Sequence, residues 1–371
     1  MKNLFSLLIA LLMSNTFYAQ NNIPLDTLNW EVNAKDYIFE SYRGANSIYL
    51  KNGSIKLKNK KFTNGTIEFD IYLKEEPAFP GVFFRMDEEG NNGEEWYIRP
   101  HLSGKPDANQ ATPLTNGISA WQLYFGEKYS FSYNYKYNDW THVKIVVNGN
   151  EAQVYLDNST EPNLSWNLLG NQKEGDIYII GGRTSGFHFA NIKVDDNADE
   201  IVNFSPIERK PIDNLIKSWS ISDKFEEDQL KDLPGLKGLI FKRKWNGKIN
   251  VEEGAAANIS RLVTRYDESP KKNTVFAKIV INSNKKQTKL FDFGYSDRAI
   301  VLLNGKPLYK GNNMWRSRDY RYLGTVGLFD AVYLPLKKGE NTLLIAVSEN
   351  FGGWIVTGKF SNNDGVSIKG Q

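Results

Sequence analysis

The chain has 371 residues, with 46 Lys and Arg against 43 Asp and Glu, and it contains no cysteine. A sequence without cysteine excludes a disulfide framework, a thiolate metal site, a cysteine nucleophile and a lipidated cysteine. The net charge of +3 is too balanced to favour nucleic acid as the main partner, and the length leaves room for two domains of about 100 to 200 residues each.

The N-terminus is typical of a secretory signal peptide. Lys2 precedes an apolar run, Leu4 to Met13, and the small residue Ala19 stands before Gln20. The run is shorter than the roughly 20 apolar residues that a membrane helix needs, and no later segment approaches that length. We therefore expect removal of residues 1–19 and a periplasmic or secreted protein without membrane insertion.

Strand signals dominate from Ile48 to Val194, within a first domain predicted to cover residues 20–195. Ile67, Phe69 and Ile71 alternate with mostly polar neighbours, which predicts a strand with one face in a core. Two later alternating runs are separated by Asn148-Gly149, and an Asn-Gly pair in this position predicts a β-hairpin. Many short strands between Gly, Asn and Pro turns indicate a β-sandwich or jelly roll.

The segment from Trp96 to Tyr124 carries the side chains best suited to chemistry. Alternate residues of a strand share a face, so strands at both ends of this segment would place five polar side chains on one surface. These five are Tyr97, Arg99, His101, Gln122 and Tyr124. Their predicted opposite-facing neighbours are Trp96, Ile98, Trp121, Leu123 and Phe125. One face would then pack a core while the other binds a ligand.

Neighbouring residues add candidate substrate contacts. The loop from Ser103 to Gly117 is long for a hairpin, and long ordered loops are often functional. Arg85 reaches the same face only if the register of its strand allows it. The candidate substrate-binding residues beside Gln122 are Arg85, Lys105, Asp107, Asn109, Gln110 and Trp121.

An acidic run from Asp87 to Glu95 offers the oxygen ligands that Ca²⁺ prefers. Its spacing does not match an EF-hand loop, so a charged hairpin loop is the better prediction. No metal site and no cofactor are predicted.

The second half of the chain is predicted to form another β-domain. Charged residues and the pair Lys210-Pro211 interrupt any periodicity in residues 196–244, which indicates a linker and an irregular lead-in. Residues 245–371 return to strand patterns, with a hairpin turn at Asn304-Gly305. The predicted fold class is all-β, with two β-sandwich domains joined by an irregular linker.

Two regions of the sequence resemble known families. Residues 62–194 resemble the concanavalin-A/laminin-G-like jelly roll of the 3-keto-disaccharide hydrolase-like family, through FTNGTIEFDIYL, PGVFFRM, the segment around YIRPHLSGKPDANQ and GFHFANIKV. This resemblance implies a function directed at sugars. Residues 275–360 resemble a galactose-binding-like module, through FGYSDRAIVLLNGKPLY and KKGENTLLIAV, which implies either sugar binding or bracing of the first domain. Its candidate ligand contacts are Trp315, Arg316, Arg318 and Trp354.

The available side chains favour elimination over hydrolysis by paired carboxylates. A glycoside hydrolase usually needs two carboxylates about 5 to 10 Å apart. Glu68 and Asp70 share a strand face, yet such residues are more often solvated surface. Elimination instead needs a base near neutral pKa, a proton donor and a cation or amide beside the developing enolate. The predicted set is His101 as base, Tyr97 or Tyr124 as acid, and Arg99 with Gln122 as the carboxylate anchor.

The sequence therefore predicts an exported protein of polysaccharide degradation that acts on acidic, uronate-containing oligosaccharides by elimination, as a lyase or dehydratase. Its expected partner is an oligosaccharide or polysaccharide. Two alternatives stay open: a non-catalytic carbohydrate-binding protein that uses the same face, and a hydrolase of 3-keto sugar glycosides. The other histidines, His142 and His188, are predicted to be structural.

Overall fold

The computed structural model describes residues 22–197, 200–232, 234–264, 272–318 and 325–371. The predicted signal peptide, residues 1–19, lies outside these ranges. Strands make up most of the described chain and confirm the all-β fold class. No helix within the described ranges is long and apolar enough to cross a membrane.

The N-terminal domain is a 12-stranded sheet with the strand order β10-β9-β8-β3-β12-β2-β11-β4-β5-β6-β7 and with β1 paired to β2. The strands are β1 (Trp30–Tyr42), β2 (Ala45–Leu57), β3 (Gly65–Leu73), β4 (Gly81–Met86), β5 (Gly93–Ile98), β6 (Asn109–Thr115), β7 (Ile118–Ser119), β8 (Asp139–Asn148), β9 (Glu151–Leu156), β10 (Leu164–Asn167), β11 (Asp176–Ile180) and β12 (Phe187–Asp195). A turn of 3₁₀-helix, Pro100–Leu102, follows β5.

Strand β2 connects two layers of this sheet. Residues 47–50 of β2 pair with β12, and residues 54–56 pair with β11. We call β8, β9, β10, β3 and β12 the back layer, and β11, β4, β5, β6 and β7 the front layer. Inward side chains of both layers meet in one apolar core, so the sheet is folded over into a sandwich.

The core confirms the alternation predicted for two strands. Ile67, Phe69 and Ile71 of β3 are fully buried in it, together with Trp96 and Ile98 of β5. The residues between them therefore point away from the core, because successive side chains of a strand lie on opposite faces.

Both predicted Asn-Gly hairpins form. In the first, β8 pairs with β9 so that Asn148 faces Glu151. In the second, Leu303 pairs with Lys306, and Asn304 and Gly305 have φ angles of 51° and 78°. Positive φ at both central residues is the geometry of a type I′ turn, which Asn-Gly adopts readily.

The C-terminal domain packs two sheets around a second core. Its strands are β13 (Ser218–Ser222), β14 (Trp245–Asn250), β15 (Ala257–Asn258), β16 (Thr274–Ser283), β17 (Gln287–Ser296), β18 (Arg298–Leu303), β19 (Lys306–Asn312), β20 (Asp330–Leu336), β21 (Gly339–Ser348), β22 (Ile355–Phe360) and β23 (Val366–Ile368). One sheet has the order β14-β13-β16-β21-β18-β19 with β23 on β16, and the other has the order β15-β22-β17-β20. The helical segments are Glu227–Lys231, Ile259–Arg261 and the α-helix α1 (Leu236–Phe241).

The predicted boundary of this domain at residue 245 is wrong. Strand β13 lies inside the predicted linker, yet it pairs with both β14 and β16. Trp219 and Ile221 of β13 are fully buried in the second core. The second sandwich therefore begins before residue 218.

A histidine on the back layer joins the two carboxylates that share a face of β3. His142 Nδ1 lies 2.6 Å from Asp70 Oδ1, and its Nε2 lies 3.4 Å from Glu68 Oε2. The hydrogen bond to Asp70, with the one to Glu68, raises the pKa of His142 to about 9. His142 is thus charged at neutral pH and stabilises the fold, as its predicted structural role requires.

Replacing His142 with glutamine is expected to lower the free energy of unfolding on the order of 2 kcal/mol at acidic pH. A pKa that is higher in the folded state gives stability that is complete below the ordinary value of about 6.5. That stability is lost as the pH rises through about 9. Urea unfolding across this pH range checks the prediction. A deficit that stayed the same above pH 9 would show that the charge is not responsible.

Candidate functional site

The outward residues of the front layer form a continuous surface. One row crosses five adjacent strands from β2 to β6. Its members are Lys56, Tyr178, Phe83, Glu95 and Thr112. We call this surface the front face, and it lies on the side of the sheet opposite the core.

Tyr97, Arg99 and Gln110 form a hydrogen-bonded cluster on the front face. Arg99 Nη2 donates to Tyr97 Oη at 2.9 Å, and the Tyr97 hydroxyl donates to Gln110 Oε1 at 2.9 Å. Arg99 also donates to Gln110 Oε1, and its Nη1 donates to the Asp107 carbonyl at 2.9 Å. The cluster holds the guanidinium in one position.

The guanidinium of Arg99 is a buried cation without a carboxylate partner in the described part of the chain. Its side chain is 7% exposed, and its hydrogen bonds go to carbonyl, amide and hydroxyl oxygens. A buried cation gains most from a negatively charged partner, because the low dielectric strengthens that attraction. The charge of Arg99 therefore has no hydrogen-bonded counter-charge among the described residues.

The geometry suits Tyr97 to positioning Arg99 and not to donating a proton. Burial raises the pKa of Tyr97 far above its ordinary range. Its hydroxyl proton points to Gln110, and Gln110 in turn donates to the Trp121 carbonyl at 2.9 Å.

His101 lies just beyond the strand and not on it. Pro100 begins a 3₁₀ turn after β5, and this turn contains His101. The imidazole packs edge-on against Phe79 with 5.7 Å between ring centroids, and Phe79 makes a similar contact with Tyr97 at 5.9 Å. Its Nδ1 is buried without a hydrogen-bond partner. Burial, aided by the charge of Arg99, lowers the pKa of His101, so the ring is neutral at pH 7 as a base must be.

The second predicted strand of the segment, around residues 121–125, is wrong. These residues form turns, and their side chains diverge. Gln122 is fully buried and accepts a hydrogen bond from Ser296 of the C-terminal domain. The Tyr124 hydroxyl donates to Glu252 Oε2 at 2.7 Å. Both residues serve the contact between the domains, so neither Gln122 as anchor nor Tyr124 as acid lies on the front face.

Two further residues that were predicted to contact the substrate, Arg85 and Asn109, do not lie on the front face. Arg85 is almost completely buried and donates from Nε to the Thr63 carbonyl at 2.8 Å, away from the front face. Asn109 is fully buried and donates to the Phe131 carbonyl at 2.9 Å, which ties two chain segments together. Both side chains have structural partners that the linear sequence does not reveal.

The predicted long loop is shorter than expected, because β6 occupies Asn109–Thr115. Lys105 and Asp107 remain exposed on the loop that precedes β6. The loop borders the Tyr97 cluster through the carbonyl of Asp107. Their role as substrate contacts stays a prediction.

Glu95 is a front-face residue that the sequence interpretation missed. Instead of lying in an acidic loop, Glu94 and Glu95 belong to β5 and are buried. Glu95 Oε1 accepts hydrogen bonds from Thr112 Oγ1 at 2.7 Å and from Ser119 Oγ, and burial raises the pKa of Glu95. Glu94 lies on the opposite face, where burial raises its pKa to about 7. The run GEEWYI after a turn was the available strand signal.

Three aromatic rings form a contiguous group that includes residues of both domains. The ring centroids of Trp121 and Phe351 are 5.9 Å apart, and those of Phe351 and Trp315 are 6.3 Å apart. Phe351 and Trp315 are 52% and 47% exposed, and the Arg316 guanidinium lies 4.1 Å from the Trp315 ring centroid. We call Trp121, Phe351 and Trp315 the aromatic platform.

Trp354 and Arg318, the other two predicted ligand contacts of the C-terminal domain, have partners within the protein. Trp354 is fully buried and donates to the Val347 carbonyl, so it belongs to the core. Arg318 is ion-paired with Asp330 and donates to Tyr295 Oη at 3.2 Å. In the described ranges, no group of three or more His, Asp and Glu side chains is arranged to hold a metal ion.

The N-terminal domain is a β-sandwich of the jelly-roll kind, with a polar cluster on the outward face of one layer. Residues 29–195 match the family described as the 3-keto-alpha-glucoside-1,2-lyase-like domain. This match confirms the resemblance of the N-terminal domain and indicates a carbohydrate-related function. No curated protein matches the chain.

Several solved structures are similar in part. A carbohydrate-binding module from Bacillus subtilis is 16% identical, with a TM-score of 0.33, over 44% of this chain and 93% of that chain. A protein with a galectin-like fold from the same organism is 10% identical, with a TM-score of 0.31, over 46% and 90%. Domain 4 of an arabinanase from Geobacillus stearothermophilus, in complex with arabinotriose, is 7% identical, with a TM-score of 0.29, over 45% and 84%. All three likenesses are weak and show only a partial similarity.

Proposed function

We propose that the N-terminal domain binds an oligosaccharide on its front face and cleaves it by elimination next to a carbonyl or carboxylate group. The observation that carries this proposal is Arg99, a fixed and buried cation without a carboxylate partner, beside the neutral imidazole of His101. The family description, a lyase-like domain, supports the same chemistry.

In the proposed reaction, His101 removes a proton from the carbon next to the carbonyl group. The electron pair of that bond forms a carbon–carbon double bond as the bond to the departing oxygen breaks, and the departing oxygen takes up the proton that His101 has gained. Negative charge that develops on the carbonyl oxygen is stabilised by Arg99, which Tyr97 and Gln110 hold in place. The products are an unsaturated sugar and the released alcohol, or water in a dehydratase.

Hydrolysis by a pair of carboxylates has less support. Such a reaction needs two carboxylates about 5 to 10 Å apart on the substrate side. Among the described outward residues of β4, β5 and β6, Glu95 is the only carboxylate. Its hydrogen bonds from Thr112 and Ser119 hold it against the sheet.

Two substrate classes provide a suitably acidic proton. A 3-keto glucoside has its carbonyl in the sugar ring, and the family description favours this class. A uronate-containing oligosaccharide has a carboxylate instead, which the unpaired charge of Arg99 suits. If water adds to the unsaturated product of a 3-keto glycoside, the net result equals hydrolysis.

The test is incubation of the full-length protein in D₂O with a 3-keto glucoside, with a uronate oligosaccharide and with an unoxidised glucoside as control. We expect cleavage of one of the first two, with ultraviolet absorbance of a conjugated product or deuterium at the carbon that lost its proton. The unoxidised glucoside should remain intact because its proton is not acidified. Cleavage without absorbance and without deuterium would contradict elimination.

A second candidate function is carbohydrate binding without turnover, which the aromatic platform favours. Exposed aromatic rings stack on the apolar faces of sugars and need no reactive group. Retention of the same oligosaccharides in affinity electrophoresis, with all of them recovered intact, would support this function over elimination.

A further inference from the structure

We propose that the aromatic platform is a sugar-binding subsite shared by the two domains, which holds a second ring of the oligosaccharide bound at the front face. This inference rests on the proposed function and names the size of its substrate: a chain that extends past the cleaved bond toward the C-terminal domain. The occupant is a sugar ring with an apolar face, stacked on Phe351 and Trp315.

The platform is linked to the Tyr97 cluster through the backbone of Trp121. Gln110 donates to the Trp121 carbonyl at 2.9 Å, and the same side chain accepts the hydrogen bond of Tyr97. The position of Trp121 is therefore fixed relative to Arg99 through one intervening residue. A ligand that contacts Arg99 and continues along the front face meets Trp121 first and then Phe351.

The C-terminal domain presents Phe351 on a rigid loop. Asp297 is almost completely buried, and its Oδ2 accepts hydrogen bonds from the backbone N–H of Asn350 at 2.7 Å and of Phe351 at 3.0 Å. On the other side, a Cβ at Gly352 would lie 2.5 Å from the Gln122 side chain, so the loop packs directly on the N-terminal domain. A buried carboxylate thus orders a loop whose aromatic ring is half exposed.

An ordered loop that carries an exposed aromatic ring is typical of a ligand-binding surface. A loop held by a buried carboxylate could bury its phenyl ring, yet Phe351 and the neighbouring Trp315 are 52% and 47% exposed. Two preformed rings give stacking area at little entropic cost, and Arg316 beside Trp315 adds donors for sugar hydroxyls. Arg316 is positive, which suits a uronate unit at this subsite.

The test compares Phe351→Ala and Trp315→Ala with Phe241→Ala, a matched control whose ring is 90% exposed on α1. We expect each platform variant to raise KM for long oligosaccharides about three- to tenfold, as the loss of one stacked ring predicts. The value of kcat, and all constants for a substrate that ends at the cleaved bond, should stay unchanged. The control should behave as the parent protein does with every substrate.

Binding measurements test the sugar-binding subsite independently of the proposed elimination. If the parent protein shows no turnover, elimination fails, and the platform is tested by titrating oligosaccharides of increasing length while tryptophan fluorescence is recorded. Weaker binding of long chains by both platform variants supports the subsite. Unchanged binding in both variants, no binding by the parent, or loss of self-association in the variants with unchanged sugar affinity would each overturn it.

Discussion

Replacing His101 with alanine is expected to lower kcat by about a hundred- to ten-thousand-fold, the usual contribution of a general base. The imidazole is the neutral base beside Arg99, and no other histidine lies near the front face among the described residues. His101 makes no hydrogen bond that the fold needs, so the variant should keep its stability. Initial rates on the substrate identified by the D₂O assay, together with urea unfolding, check both parts.

His142→Gln is the matched control for this prediction. It removes a histidine from the back layer, so it should lower stability and leave kcat unchanged. Because burial lowers the pKa of His101, the parent should stay active as the pH falls to the ordinary value of 6.5 and lose activity only below it. Full turnover by a folded His101→Ala variant would refute the assignment of the base, even if elimination itself is demonstrated.

Replacing Gly352 with valine is expected to destabilise the protein by about 2 to 4 kcal/mol and to weaken the binding of long oligosaccharides. Gly352 has a φ of 105°, and a Cβ there would lie 2.5 Å from Gln122. Valine is strained at this positive φ, and its side chain would also collide with Gln122 of the N-terminal domain. The loop must therefore move. Denaturant unfolding and the fluorescence titration measure the two effects.

The variant Gly339→Val distinguishes backbone strain from the contact with Gln122. Gly339 has a similar φ of 87°, but nothing lies within 4 Å of a Cβ built there. This variant should show the backbone strain alone, about 1 to 2 kcal/mol, with sugar binding intact. If the two variants prove equally stable and bind equally well, contact with Gln122 is not what positions the loop.

Local patterns predicted much of the fold. The alternation in β3 and the Asn-Gly turns depend on residues within a few positions of each other, and the structure contains them as expected. Strand β13 was missed because it is short and follows a charged, proline-interrupted stretch. Its alternating Trp219 and Ile221 were the signal in the sequence.

The candidate site was predictable only in part. Tyr97 and Arg99 share a face because strand alternation is local, whereas the fate of Gln122 and Tyr124 depends on partners in the other domain. Ser296 and Glu252 lie 174 and 128 positions away in sequence from these two residues. Glu95 was hidden because several acidic residues in succession resemble a loop, and its partner Ser119 is 24 positions distant.

Ile118, described above at the end of the front layer, belongs to the apolar core of the C-terminal domain. Ala120, Leu123 and Tyr124 likewise pack with Ala256 and Ile355 in a cluster drawn from both sandwiches. We therefore expect the segment matched by the family, which ends at residue 195, to unfold together with the C-terminal domain. Heating should give one calorimetric peak for both sandwiches together. A fragment that ends at residue 195 would expose the apolar side chains of the domain interface and aggregate.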